Sequence, residues 1–148
     1  MKKIILFLFL SICIMTNADW KTLQNKKSDS KHMICDMNEK GVILVGKIRY
    51  YDMILYDMGI VFYENLENFS SRVYFEIGDK VFAIDGIHVF GTELISITLD
   101  PKSDAELLQE MKKGNKMIIS IYNLADGRKI EKTVTLKGFT KAFNNIGR

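Results

Sequence analysis

An α+β domain of five to six short strands, one main helix and one short helix is the fold class this sequence predicts, and three observations predict it. Short runs rich in β-branched and aromatic residues are separated by Gly or Asp, the usual punctuation of strands. One segment, Ala105–Lys113 (AELLQEMKK), carries apolar residues at helical spacing. The composition is 47% apolar and 26% charged with a single proline, which excludes collagen-like and low-complexity chains and fits one packed domain.

The chain opens on a basic triplet, Met1-Lys2-Lys3, followed by the apolar run Ile4–Met15 and the small residues Thr16 and Ala18. That is the layout of a secretory signal peptide over residues 1–18, and it implies a periplasmic or secreted destination. A spanning helix needs about 20 apolar residues for a core of about 30 Å, more than this run supplies. An uncleaved leader acting as an anchor is the alternative, and only then would the membrane be a partner. Removal of the leader takes Cys13 with it and leaves Cys35 unable to form an internal disulfide, so the fold rests on its core.

Residues 19–40 are polar and lysine-rich without a sustained period, and read as a tether. From Gly41 onward GVILVGKI, DMILY and GIVFY are strand runs, and Phe69–Phe75 is a short element whose serines suit the first turn of a small helix. Lys80–Ile84 is a strand, Asp85-Gly86 a turn and Ile87–Phe90 its continuation. The main helix has Ser103 or Asp104 as N-cap, acidic residues early, lysines late and Gly114 as its stop. Met117–Tyr122 and the strictly alternating Lys129–Leu136 are strands joined by a turn at Ala125-Asp126-Gly127, and residues 138–148 form a tail.

The 21 basic and 18 acidic residues nearly balance, and Lys2 and Lys3 belong to the leader, so no electrostatic footprint for nucleic acid exists. His32, Cys35 and Asp36 are a weak metal motif without a second ligand pair. A Cys35/His88 nucleophile–base pair would need spatial adjacency and a third orienting group. No phosphate loop, nucleophile elbow or zinc-hydrolase helix is present, and neither an enzyme nor a cofactor is expected.

In order and spacing, residues 59–136 resemble a PDZ domain of the bacterial envelope type. The strand Gly59-Ile60-Val61-Phe62, the Gly78-Asp79 entry to Lys80–Ile84, the Asp85-Gly86 turn, the 104–113 helix and the Asp126-Gly127 hairpin carry the likeness. The resemblance implies a PDZ-like, small, partly open β-barrel or sandwich over residues 41–137. It implies a module that accepts an extended or C-terminal segment of another envelope protein as an added strand beside that helix. On this reading Lys40, Gly41, Val42, Ile43 and Leu44 form the peptide loop and strand edge, Leu108 lines the pocket and Asp104 faces an upstream ligand side chain. The segment Asp57-Met58-Gly59-Ile60 is an alternative loop. A structural component of an envelope or secretion complex, held by an uncleaved leader, is the alternative function.

Overall fold

Alternation of apolar and polar residues dominates from residue 31 onward and produces two antiparallel sheets. The computed structural model describes residues 20–24, 30–37, 41–85, 88–90 (backbone) and 94–147. The first sheet holds β1 (Lys21–Gln24), β2 (Lys31–Asp36), β3 (Gly41–Tyr50), β4 (Met53–Phe62), β7 (His88–Phe90) and β8 (Leu94–Leu99), in spatial order β1-β2-β3-β4-β8-β7. The second holds β5 (Phe69–Ile77), β6 (Lys80–Asp85), β9 (Lys116–Asn123) and β10 (Lys129–Thr135), in order β10-β9-β5-β6. Two helices complete the fold, α1 (Ala105–Lys113) between β8 and β9 and α2 (Phe139–Gly147) at the end.

Both sheets contribute to one core, as the layer rule requires. Ile43, Val45, Met58, Ile60, Ile95 and Ile97 meet Val73, Phe75, Ile119, Ile121, Ile130 and Val134 in a single buried cluster. Leu107, Leu108 and Met111 of α1 join it, and so do Phe139, Ala142, Phe143 and Ile146 of α2. The class is therefore mostly β with two short helices, compatible with α+β but with more strands than the sequence suggests.

Several boundaries shift. The polar segment 19–40 is not a plain tether: it supplies two strands, and Met33, Cys35 and Met37 alternate into the core. DMILY and GIVFY are one strand, because Gly59 sits inside β4 rather than between strands. Ser70 and Ser71 lie in β5, whose ladder with β6 and β9 overrides local capping preference. The expected Asp85-Gly86 turn falls partly outside the described residues, and β6 and β7 belong to different sheets rather than to one continued strand. The tail is helix α2, with its whole apolar stripe buried.

Gly114 ends α1 as expected, but for another reason. Its φ of −72° is open to any residue. A Cβ there would lie 2.7 Å from Ile77 Cγ2 and 2.9 Å from Leu136 Cδ1, so the glycine permits close helix–sheet packing. Gly114→Ala is expected to cost about 1–3 kcal/mol of stability through overpacking, measured by urea denaturation; an unchanged midpoint would contradict this.

Candidate functional site

The structure scatters the residues assigned to a peptide groove. Lys40 lies outside the described residues. Val42, Ile43 and Leu44 are in the interior of the six-stranded sheet, paired to Asp36, Cys35 and Ile34 of β2 on one side and to Val61, Ile60 and Gly59 of β4 on the other. No edge is left for a ligand strand there, and the same ladder absorbs the alternative loop at Asp57–Ile60. Gly41 is buried: its carbonyl accepts from the Met37 N–H at 2.8 Å, and a Cβ would meet the Val61 carbonyl oxygen at 2.3 Å. Its lack of a side chain serves strand packing, not carboxylate capture.

Asp104 and Leu108 face other tasks. The Asp104 carboxylate accepts from the Asp100 N–H at 2.8 Å, closing the loop ahead of α1 and giving no side-chain cap to the helix. Leu108 is 5% exposed and borders a depression of about 240 Å³ shared with Tyr56, Pro101, Ala105, Gln109, Lys112 and Phe143. There Lys112 Nζ stands 4.6 Å over the Phe143 ring, and burial raises the Tyr56 phenol above its usual pKa. The α1 stripe is thus core, turned toward α2.

The geometry separates the remaining chemical candidates. His32 and Cys35 are three apart on one strand and so point to opposite faces. Cys35 is buried and its thiol lies 3.5 Å from the Asp36 carbonyl oxygen. Cys35 pairs across β3 and β4 to β8, with β7 one strand further, which places His88 about 19 Å away at strand spacing. They form no nucleophile–base pair. Among the described residues no group of three or more His, Cys, Asp or Glu is placed to hold a metal ion.

β6 stands at the edge of the four-stranded sheet. Among the described residues this strand pairs on one side only, with β5, from Ile77↔Lys80 to Arg72↔Asp85. Every second residue therefore turns its N–H and C=O away from the ladder. Edges are normally blunted by charge, proline, bulges or shortness. The edge strand β10 carries Lys129, Glu131 and Lys132, β7 is three residues long and β1 four. In contrast, the middle of β6 reads Val-Phe-Ala-Ile, with Val81 62% exposed and Phe82 and Ile84 only partly covered against the core.

The charges at the two ends of β6 are held by the protein itself. Lys80 Nζ donates to Glu106 at 2.9 Å and Glu110 at 3.0 Å, one turn apart on α1, and these bonds push its pKa up to about 12. Arg72 grips Asp85 through Nε (2.5 Å) and a terminal nitrogen (2.9 Å), which lowers the Asp85 pKa. What remains between them is an apolar, hydrogen-bonding strip with its ends fixed. The sequence signal was present in the run KVFAI, but nothing in a linear pattern says which strand ends a sheet.

Fold and edge together define an antiparallel two-sheet β-sandwich with an open strand. A family model described as Invasion associated locus B (IalB) protein matches residues 98–147, from the end of β8 through α1, β9 and β10 to α2. No curated protein and no solved structure matches the chain. The match overturns the PDZ resemblance, since it assigns much of the same segment to a different family. The interior position of residues 42–44 removes the groove that resemblance required.

Proposed function

We propose that this chain is an exported, non-enzymatic binding module that takes an extended segment of another envelope protein as an added strand on β6. The observation that carries this reading is the edge itself: a strand that pairs on one side only among the described residues, apolar side chains alternating above and below, and terminal charges already neutralised. Strand addition needs those three things, because main-chain hydrogen bonds supply affinity and alternate side chains supply choice. A basic–apolar–small leader supports export. A family described as invasion-associated is consistent, at that coarse level, with a bacterial envelope location.

The ligand is an uncharged, alternating apolar stretch, since β6 offers no free charge at its centre. Its terminus is immaterial on this reading, because among the described residues no carboxylate loop flanks this edge. Titration of the full chain with such peptides, followed by the backbone amide shifts of residues 80–85, is expected to show saturable binding. C-terminal amides should bind as well as free acids. N-methylation of alternate peptide bonds, or Val81→Lys with Ala83→Lys as edge gatekeepers, is expected to weaken binding at least about tenfold with the fold intact. Binding that ignores both changes would end the proposal.

A further inference from the structure

The outward face of the six-stranded sheet is apolar where the outer layer of a sandwich is ordinarily polar. Ile43, Val45 and Ile60 point into the core, so their neighbours point out. Val42, Val61 and Leu94 then form one cross-strand row, and Ile34 and Leu44 another, all partly exposed. The strands β3 and β4 also outrun their neighbours. β2 pairs with β3 as far as Gly46, and β8 with β4 from Tyr56, so residues 48–50 and 53–55 pair only with each other.

On this projecting ribbon Ile48 stands opposite Leu55, and Tyr50 opposite Met53, continuing the same face. Ile48 is 40%, Met53 49% and Tyr50 55% exposed. An isolated two-stranded ribbon is marginal in water, and one that exposes its apolar side is a surface awaiting a cover.

We infer that this face is the interface of a two-fold homodimer, two sheets packed outer face to outer face. Two observations select a second copy. The first is size: at about 4.8 Å between strands and about 3.3 Å per residue the sheet presents roughly 600 Å² in projection, and side-chain relief brings this near the roughly 800 Å² each partner gives a stable interface. The second is charge. In a two-fold contact the same patch meets itself, so it must lack a field of one sign. The charged groups on this face, Lys21, Asp36 and Asp57, are of mixed sign, and Asp57 accepts from the Ser96 hydroxyl at 2.9 Å. The β6 edge lies in the other sheet, so the dimer neither requires nor blocks strand addition, and a dimer would carry two such edges.

Sedimentation equilibrium of the full chain, from nanomolar to high micromolar, is expected to show a monomer–dimer equilibrium with no larger species. Leu55→Glu is expected to raise the dissociation constant at least about tenfold, because it puts an unpaired charge against the second copy. It lies on the ribbon, outside the core, so its thermal midpoint at high dilution should match the parent. Val61→Glu should do the same, whereas Glu131→Lys, on the outer face of the other sheet, should leave the dimer unchanged. A chain monomeric at every concentration overturns the inference, whether its own residues 1–19 or added phospholipid vesicles prove to cover the face. So does a dimer that Leu55→Glu does not weaken.

Discussion

Trp20→Ala is expected to lower the unfolding free energy by about 3–5 kcal/mol, the cost of emptying a large aromatic site. Trp20 is 6% exposed although it lies in a lysine-rich, aperiodic stretch. Its indole N–H donates to the Thr135 carbonyl at 2.7 Å, and its ring meets Phe139 edge-on with centroids 5.0 Å apart. Its own N–H reaches the Lys137 carbonyl at 3.3 Å, so one residue joins the approach to β1, the end of β10 and the start of α2. As the sole tryptophan it also reports the transition directly. Native emission should be blue-shifted and should move red at the same urea concentration as the far-ultraviolet circular dichroism of the unsubstituted protein. A loss below about 1 kcal/mol would mean that the N-terminal segment contributes little to the core.

The second large effect concerns Lys132. It occupies an inward position of β10, opposite Ile119, with its side chain 5% exposed and its ammonium paired to the Glu64 carboxylate. Breaking such a pair from one side leaves a charge with little water, so Glu64→Gln is expected to cost about 3 kcal/mol, the low end of the usual range because Glu64 itself is partly exposed. Replacing the lysine is different. Lys132→Met removes the charge and keeps the volume, and should leave stability within about 1 kcal/mol of the parent or raise it. The double substitution should match Lys132→Met alone, because the second change then has nothing left to unpair. Urea midpoints of the four proteins check this, and equal losses from both single changes would refute it.

The strongly periodic parts of the fold were legible in the sequence. β3, β9, β10 and α1 fall where alternation or helical spacing puts them, and the Asp126-Gly127 turn forms with Gly127 at φ 71°. Other elements were written in weaker hands. Met33, Cys35 and Met37 alternate, but over too few residues to be heard among the surrounding lysines. Phe139, Ala142, Phe143 and Ile146 have full helical spacing, yet without an acidic first turn or a basic last turn to mark the helix ends. β5 was obscured by its serines, which cap helices in isolation and yield to a two-sided ladder in context. The site was less legible than the fold for a topological reason. Which strand keeps a free side depends on the order β10-β9-β5-β6, and that order is decided by pairings between residues far apart in the chain.

Those pairings also bear on how the protein reaches its native state. β1 to β4 form a meander in which each strand finds its predecessor across a short connection, so that four strands of the first sheet can assemble by successive local steps. The second sheet depends on β5 meeting β9, where Val73 must locate Ile121 with β6, β7, β8 and α1 strung between them. Closing that loop consumes chain entropy before any contact repays it, so this pairing is expected to form after the meander. A β5–β6 hairpin formed before that pairing would leave the strip at residues 81–84 bare, and intermolecular pairing is then expected to compete with folding.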